Sequence, residues 1–277
     1  MSVLIDGKKI AQEIKDSIKS EIDQITGEIF FDIVYVGSDP VIDNFIKYKK
    51  RFGFDLGVTV KVHNFPSDIS QEGLIQEVEK IEALSQAMIV QLPLPDHITQ
   101  SRILDLVPAH KDVDVLGAEG KAAFRDSKTR FFPAVTGSIV HILDYYHLDL
   151  AYKNIVVIGN GTLVGKPLKI WLEREGYSYS EINKETSQEN RRELLLAADI
   201  IISGAGHPGL VQVADIKPGV VLVDAGTSES GKKIIGDIHP DCLEKSSFMT
   251  PVPGGIGPIT IAILYQNILT AYKQNYE

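Results

Sequence analysis

The chain opens on an amphipathic pattern. Between Lys8 and Ile25, apolar side chains recur three or four positions apart, with Lys, Glu and Asp between them; they are Ile10, Ile14, Ile18, Ile22 and Ile25. This spacing places them on one face of a helix. Residues 29–36 are rich in Ile, Phe, Val and Tyr and end at Gly37-Ser38-Asp39-Pro40, which is typical of a buried strand followed by a turn.

Helix and strand patterns alternate along the rest of the chain. In the first half, helices are predicted at about 41–52 and 71–84, and strands at 58–65 and 87–91. A second series starts near Ser138, with helices predicted at 138–146, 166–174 and 190–197 and strands at 154–158, 177–182, 199–203 and 220–224. A last helix at 257–276 follows a Pro/Gly-rich loop. Strands that alternate with helices predict parallel sheets in an α/β fold.

The length predicts two domains, because 277 residues exceed a typical single core of about 100 to 150 residues. We assign residues 1–137 and 257–277 to an N-terminal three-layer α/β domain, so that the last helix returns to the first domain. Residues 138–256 are assigned to a Rossmann-like, doubly wound domain. A small substrate is expected in the cleft between the two domains.

Composition narrows the functional classes. Apolar runs such as 155–158 and 220–223 are far shorter than the ~20 residues needed to cross a bilayer. The N-terminus lacks a basic region followed by an apolar stretch, so the cytoplasm is the expected location. A net charge of −9 argues against nucleic acid as a partner. The single cysteine, Cys242, and the lack of zinc-ligand spacing argue against a disulfide or a metal site.

Two glycine-rich segments indicate a dinucleotide site. Gly159-Asn160-Gly161 and Gly165 lie between a predicted strand and a predicted helix, where a pyrophosphate can approach the backbone and the helix N-terminus. A mere tight turn is the alternative. Residues 204–209 also follow a strand and add support. Glu181 or Glu185 could accept from a ribose 2′-hydroxyl, although both could equally be solvated loop charges.

Four other segments are candidates for the substrate site. Phe45 and Lys49 lie one helical turn apart and share a face, although a solvated helix face is the alternative. Residues 91–95, Gln-Leu-Pro-Leu-Pro, form a stiff segment at the end of a strand. Residues 111–114, Lys-Asp-Val-Asp, place two carboxylates on alternate positions, as a cap or turn also would. Residues 250–258 form a Pro/Gly-rich loop in which backbone can meet a ligand.

Together these segments resemble the bifunctional methylenetetrahydrofolate dehydrogenase/cyclohydrolase family, of which the chain is identified as a divergent member. The matching segments, in order over nearly the whole chain, are Val36-Gly37-Ser38-Asp39-Pro40, Lys49, Gln91-Leu92-Pro93-Leu94-Pro95, Lys111-Asp112-Val113-Asp114, Val164-Gly165-Lys166-Pro167 and Thr250-Pro251-Val252-Pro253-Gly254-Gly255-Ile256-Gly257-Pro258. The resemblance implies a homodimer with a folate-binding domain and an NADP-binding domain, NAD being possible. It implies oxidation of 5,10-methylenetetrahydrofolate to the 5,10-methenyl cation and hydrolysis to 10-formyltetrahydrofolate.

The resemblance also implies roles for individual residues. Lys49 matches the key catalytic group, Gln91 the group that assists it, and Asp114 the group that holds the pterin. A lysine beside a cationic intermediate should have a lowered pKa, and a carboxylate can accept two N–H bonds from the pterin edge. The implied substrate contacts are Phe45, Leu92, Pro93, Pro253, Gly254, Gly255 and Pro258. The implied cofactor contacts are Gly159, Asn160, Gly161, Gly165, Lys184, Gly204, Gly206 and Thr227.

The chain departs from the family pattern near these residues. Phe45 replaces a tyrosine, Val115 a glycine, Asn160-Gly161 an Arg-Ser pair, residues 133–136 a Pro-Cys-Thr-Pro loop, and residues 183–186 a loop that often begins His-Ser. Two alternatives follow: a folate or nucleotide binder with lost or reduced catalysis, and a dehydrogenase with weak cyclohydrolase activity. Lys184 would favour NADP and Glu181 or Glu185 would favour NAD, so the cofactor preference stays open.

Overall fold

The computed structural model describes residues 2–230 and 233–276. Its α-helices are α1 (Gly7–Ile22), α2 (Pro40–Leu56), α3 (Gln71–Glu82), α4 (Gln100–Leu104), α5 (Ala118–Arg125), α6 (Ala134–Tyr145), α7 (Gly165–Arg174), α8 (Gln188–Ala197) and α9 (Ile256–Tyr276). Its strands are β1 (Val3–Leu4), β2 (Phe30–Val36), β3 (Thr59–Phe65), β4 (Met88–Val90), β5 (Ile155–Ile158), β6 (Tyr179–Ile182), β7 (Ile200–Ser203), β8 (Val221–Asp224), β9 (Ser228–Ser230), β10 (Lys233–Ile235) and β11 (Phe248–Met249). The predicted α/β class with parallel sheets is confirmed.

The chain divides into two compact units. One contains Met1–Ala11 and Val135–Thr260, and the other contains Gln12–Ala134 and Ile261–Glu277. Most of the last helix thus lies in the unit of residues 12–134. This division differs from the predicted domains mainly at the first 11 residues. The reason is that β1 pairs in parallel with β11, so Val3 and Leu4 belong to the sheet of the unit that contains residues 135–260.

The unit of residues 12–134 is built on a three-stranded parallel sheet in the order β3-β2-β4. β2 is the central strand and six of its seven residues are buried, which matches its continuous apolar sequence. Helices α3 and α4 pack against it through Leu74, Val78 and Ile103. Both β2 and β4 end at the same edge of the sheet, and the candidate substrate residues follow from that edge.

The unit of residues 135–260 is built on a six-stranded sheet in the order β1-β11-β8-β7-β5-β6, in which all pairings are parallel. Strand β6 lies on one side of β5 and β7 lies on the other. The direction in which successive strands are added to the sheet therefore reverses at β5. Ligands of doubly wound folds bind at the carboxyl ends of the strands at such a switch point. Here that point carries the turns after Ile158 and after Ser203.

Most predicted elements agree with the structure within two or three residues. Helix α2 runs one turn further than predicted and ends at Gly57, whose φ of 85° is a left-handed cap suited to glycine. The strands β1, β9, β10 and β11 and the helices α4 and α5 were not predicted. No helix in the described parts of the chain has the length and apolar character needed to cross a bilayer.

Candidate functional site

Helix α2 carries Phe45 and Lys49 and is well fixed at its start. The Asp39 carboxylate accepts from the amides of Val41 at 2.8 Å and Ile42 at 3.0 Å, and Pro40 occupies the first helical turn. Phe45 and Lys49 are four residues apart and so lie on one face of the helix. Phe45 is 37% exposed, whereas Lys49 is partly buried. The N-cap therefore fixes the helix from which both side chains project.

Lys49 contacts Gln91 directly. Its Nζ donates to Oε1 of Gln91 at 2.8 Å, and Nε2 of Gln91 donates to the carbonyl of Leu92 at 2.9 Å. The backbone amide of Gln91 donates to the carbonyl of Val34 at 2.8 Å, and this bond holds Gln91 against the end of β2. Because Nε2 of the Gln91 side chain bonds Leu92, its Oε1 faces Lys49. Pro93 follows Leu92 through a cis peptide bond and is exposed.

Helix α9 supports the same region through Tyr265, a residue that no pattern in the sequence singles out. The Tyr265 hydroxyl donates to the carbonyl of Lys49 at 2.7 Å, and its ring is 1% exposed. Gly53 makes room for it, since a Cβ there would lie 2.5 Å from the Tyr265 hydroxyl. Position and burial of the lysine thus depend on a residue 216 positions away in sequence.

The loop that carries Asp114 is held from beneath by Asp112. The Asp112 carboxylate is buried and accepts from the amide of Gly117 at 2.8 Å, and further from the amides of Val115 and Leu116. Burial raises the pKa of Asp112 to about 7, and the nearby charge of Asp114 adds to the rise. This carboxylate is a structural support for the loop rather than a group that faces a ligand.

Asp114 and Lys49 influence each other through their charges. Burial lowers the pKa of Lys49, and the negative charge of Asp114 opposes that effect. Burial raises the pKa of Asp114, while the charge of Lys49 and a bond from the amide of Ala134 lower it. A second residue of α9, Asn267, ties the surrounding loops together by donating to the carbonyls of Val113 at 2.8 Å and Phe132 at 2.7 Å.

The unit of residues 135–260 has two glycine turns, the first at residues 159–165 after β5 and the second at residues 204–209 after β7. The two turns are in contact at the switch point of the sheet. Gly159 has φ of 101°, and a Cβ there would lie 2.8 Å from the carbonyl oxygen of Gly204. A Cβ at Gly165 would lie 2.2 Å from the carbonyl oxygen of Gly159, and one at Gly204 would lie 2.3 Å from Val164. The backbone is therefore packed as a pyrophosphate cradle requires, at the start of α7. Gly161, Gly206 and Thr227 lie at the same edge, the carbonyl of Thr227 being 3.8 Å from the Cβ position of Gly206.

An ion pair that the sequence did not reveal joins the first glycine turn to β6. Nζ of Lys169 donates to Oε2 of Glu181 at 2.6 Å and to Oδ1 of Asn160 at 2.8 Å. Nδ2 of Asn183 donates to Oε1 of Glu181 at 3.1 Å. These bonds lower the pKa of Glu181, the bond from Lys169 having the largest effect. Lys184 lies exposed in the following turn.

The Pro/Gly-rich loop of residues 250–258 lies in the unit of residues 135–260. The amide of Gly255 donates to the carbonyl of Pro251 at 2.8 Å, and the carbonyl of Gly254 accepts from the amide of Gly7 at 3.1 Å. Gly254 has φ of 104°, a conformation that favours glycine. Pro253 is exposed and Pro258 is partly buried. The loop is thus fixed internally and by the start of α1.

Two family descriptions match the chain over most of its length. Residues 5–114 match the tetrahydrofolate dehydrogenase/cyclohydrolase catalytic domain, and residues 133–276 match the NAD(P)-binding domain of the same proteins. The chain belongs to the tetrahydrofolate dehydrogenase/cyclohydrolase family. Lys49, Gln91 and Asp114 lie in the matched catalytic segment of this family, and both glycine turns lie in its NAD(P)-binding segment.

Known members of the tetrahydrofolate dehydrogenase/cyclohydrolase family are similar along their entire length. The bifunctional protein FolD of Hydrogenobaculum sp. (strain Y04AAS1) is 34% identical over 276 residues, which cover 98% of this chain and 99% of that protein. The crystal structure of the bifunctional enzyme FolD from Campylobacter jejuni has a TM-score of 0.93 at 30% identity and covers 99% of each chain. The Trypanosoma brucei FolD, solved with NADP and an inhibitor, has a TM-score of 0.93 at 26% identity and covers 99% of this chain and 98% of that one.

Among the departures from the family pattern, Val115 has a structural cost. It is 2% exposed and has φ of 57°, a conformation that is strained for a β-branched side chain. The amide bonds to Asp112 and the burial of its side chain hold it there.

The described residues include no group of three or more His, Cys, Asp or Glu side chains placed to hold a metal ion.

The raised pKa of Asp112 predicts a pH effect on stability. A carboxyl whose pKa rises on folding from 3.8 to about 7 stabilises the fold at acid pH, and this contribution is lost as the pH rises through that interval. At about 1.4 kcal/mol per pKa unit, the loss between pH 5 and pH 8 is roughly 2 to 3 kcal/mol. Asp112→Asn keeps an oxygen for the loop amides but does not titrate. Relative to the unaltered protein, its free energy of unfolding should therefore gain about 2 kcal/mol between pH 5 and pH 8.

Urea denaturation at the two pH values measures this difference. Asp105→Asn is the control. Asp105 accepts from the amide of Ala118, the first residue of α5, next to the Gly117 amide that Asp112 accepts, but Asp105 is exposed. Its difference from the unaltered protein should be equal at both pH values. Parallel pH curves for Asp112→Asn and the unaltered protein would contradict the assignment of a buried, titrating carboxyl.

Proposed function

We propose that this protein oxidises 5,10-methylenetetrahydrofolate to 5,10-methenyltetrahydrofolate with NAD(P) and hydrolyses the product to 10-formyltetrahydrofolate. The contact of 2.8 Å between Lys49 and Gln91, in the matched catalytic domain, is the observation that supports it most directly. NAD(P), when bound, takes up the hydride that leaves the one-carbon bridge with its electron pair. Water then adds to the methenyl carbon and loses one proton. As the bond from that carbon to N5 opens, the remaining hydroxyl proton leaves the oxygen and N5 is protonated, so that a formyl group remains on N10.

Lys49 is the group proposed to serve the hydrolytic step. Its burial favours the neutral amine, which can accept the proton that the attacking water loses. Gln91 accepts a hydrogen bond from the amine and so fixes its direction. Gln91 is neutral, so it orients Lys49 without adding a negative charge. A carboxylate in the same contact would raise the pKa of Lys49 strongly.

Asp114 is proposed to orient the pterin. An ionised carboxylate offers about four lone-pair positions, and the amide of Ala134 uses one of them. The remaining positions suffice for two N–H bonds from the amide and amino groups of the pterin edge, which would fix its orientation. Phe45, Leu92 and Pro93 in the same unit, and Pro253, Gly254, Gly255 and Pro258 in the other, remain the proposed substrate contacts.

The glycine turns after β5 and β7 are proposed to hold the dinucleotide. Their close backbone packing at Gly159, Gly165 and Gly204 fits a pyrophosphate at the N-terminus of α7. A homodimer in the cytoplasm also remains a proposal, supported by the resemblance to the family. The alternative of a binding protein without catalysis is less well supported, because Lys49 and Gln91 are held in mutual contact.

A spectroscopic assay with 5,10-methylenetetrahydrofolate and each dinucleotide tests the proposal. We expect reduced cofactor and methenyl product to form together, and the methenyl absorbance then to decay faster than in buffer. Lys49→Met should lower the hydrolytic rate at least about a hundredfold, the usual size of a general-base contribution. Lys50→Met is the control, since Lys50 is the exposed neighbour on the same helix. Folate binding without either product would instead support the non-catalytic alternative.

Restoring the family hydroxyl at residue 45 should change the two activities unequally. Phe45→Tyr places a hydroxyl one helical turn from Lys49, where a bond to the amine can form. A hydrogen bond to such a group contributes roughly 1.5 to 3 kcal/mol, so an increase of about tenfold or more in the cyclohydrolase rate is expected, with a smaller change in the dehydrogenase. Phe54→Tyr, on the same helix at 80% exposure, is the control. No change in either rate for Phe45→Tyr would refute the hypothesis.

The ion pair at Glu181 bears on the choice between NAD and NADP. Glu181 lies in the strand next to β5, where the acidic residue of a Rossmann fold accepts from the ribose 2′-hydroxyl. Lys169 offsets the charge of Glu181, so the pair gives a 2′-phosphate little net attraction. Replacing Glu181 by glutamine leaves the positive charge of Lys169 without this counter-charge. Glu181→Gln should therefore improve the KM for NADP relative to NAD by about fivefold, or about 1 kcal/mol, as expected for one partly screened charge.

Ratios of the two Michaelis constants measure this effect. Glu185→Gln is the matched control, because Glu185 is an exposed acid in the turn after β6. Its ratio should stay within twofold of the unaltered protein. An equal shift in both variants would assign the effect to general charge, and no shift in either would remove Glu181 from the ribose site.

A further inference from the structure

Two buried carboxylates at the carboxyl edge of the six-stranded sheet have no role in the proposed chemistry. Asp224 ends β8 and Asp237 follows β10, and they are 1% and 0% exposed. A carboxylate is costly to bury unless its oxygens are hydrogen-bonded. The partners of these two groups therefore show which part of the structure they serve.

Asp237 is bonded to the turn after β7. Its Oδ2 accepts from the hydroxyl of Ser203 at 2.7 Å, the amide of Ala205 at 2.7 Å and the amide of Gly206 at 3.3 Å. Its Oδ1 accepts from the amide of His207 at 2.7 Å. Three successive amides of the glycine turn thus converge on a single side chain, which imposes the conformation of that turn.

Asp224 in turn holds the backbone around Asp237. Its Oδ1 accepts from the amides of Gly226 at 2.9 Å and Asp237 at 3.2 Å, and its Oδ2 from the amide of Ile238 at 2.8 Å. A Cβ at Gly236 would lie 2.1 Å from Oδ2 of Asp224, and one at Gly226 would lie 2.1 Å from the Asp237 carboxyl carbon. Both carboxylates therefore fill space that only glycine leaves open.

The turn held by Asp237 is in contact with the first glycine turn. The amide of Gly204 donates to the carbonyl of Ile158 at 2.9 Å, and its carbonyl oxygen lies 2.8 Å from the Cβ position of Gly159. The hydroxyl of Ser228 donates to the carbonyl of Gly206 at 2.6 Å. A change in the conformation of residues 204–207 would consequently displace the backbone that faces the pyrophosphate.

We propose that Asp237 is a positioning residue for the dinucleotide: by accepting the amides of Ala205, Gly206 and His207, it fixes the second glycine turn against the first. The identity of the ligand rests on the proposed function. Because Asp237 is 0% exposed and bonds the amides of the turn, its proposed action is through the backbone of that turn. Asp224 supports it by holding the amides of residues 237 and 238.

Asp237→Asn tests this proposal, because an amide has one acceptor oxygen where the carboxylate has two, and its NH₂ group faces donors. The dissociation constants of NAD and NADP are measured by calorimetry, together with the KM for dinucleotide, the KM for folate, kcat and the melting temperature. We expect the dissociation constant and KM of the dinucleotide to rise about tenfold or more. At saturating dinucleotide, kcat and the KM for folate should change less than threefold.

Asp32→Asn is the control for loss of a buried carboxylate in general. Asp32 is 5% exposed, lies in the other unit, and accepts from the hydroxyl of Ser85 at 2.7 Å and bonds Nε2 of His63 at 2.7 Å. It should lower the melting temperature while leaving the dinucleotide dissociation constant within twofold. The same pattern in Asp237→Asn would show a role in stability alone and would overturn the proposal.

A milder variant covers the case in which Asp237→Asn does not fold. Ser203→Ala removes one donor to Asp237 and is expected to weaken dinucleotide binding about threefold, and an unchanged dissociation constant would overturn the proposal. The unaltered protein is measured first. If it binds neither dinucleotide, the proposed function fails, whereas equal binding by the unaltered protein and the variant contradicts only the role of Asp237.

Discussion

Backbone amides in the loops of the proposed sites need acceptors, and buried aspartates supply them in both units. Asp112 accepts amides of residues 115–117, and Asp237 accepts amides of residues 205–207. Burial of a carboxylate is unfavourable, but several N–H donors to one group offset that cost. The result is that loops proposed to meet the ligands are held by side chains behind them, and their backbone is set before a ligand arrives.

Among the described residues, Lys49 is bonded by a neutral side chain and not by a carboxylate. Its direct partner is the neutral amide of Gln91, while the carboxylate of Asp114 acts on it only through the field. A carboxylate in direct contact would stabilise the ammonium form strongly, and the amine would then be a poor base near neutral pH. The arrangement holds the lysine in place and still allows burial to lower its pKa. Tyr265 contributes by bonding the Lys49 carbonyl rather than its amine.

The parts that the sequence predicts are those with a local physical cause. An apolar period located helix α1, short apolar runs located the buried strands of both sheets, and the Pro/Gly-rich loop marked the start of α9. The glycine turns followed from their place between strand and helix. The two-residue strands β1 and β11 have no period to detect, and their pairing joins distant segments. Tyr265 and Asn267 lie on an apolar helix that offers no sign of which side chain reaches which loop.

Long-range pairing also explains why the ribose site was left open by the sequence. Glu181, Lys184 and Glu185 are three charged residues within one short segment, and only the fold shows that Lys169 of α7 reaches Glu181. The arginine usual in the family's first glycine turn is replaced by Asn160, whose side chain bonds Lys169 instead.

In this chain Lys169 of α7 bonds Asn160 of the glycine turn, and Glu181 of the adjacent strand forms an ion pair with it. A lysine whose side chain is 11% exposed and already bonded to Glu181 and Asn160 is poorly placed to meet a phosphate. Exposed Lys184 is then the remaining predicted cation for a 2′-phosphate. Because its charge is solvated, its attraction for a phosphate is screened by salt. The charges of Lys169 and Glu181 largely cancel within their ion pair, so little net charge at this edge of the sheet opposes the attraction of Lys184 for a 2′-phosphate.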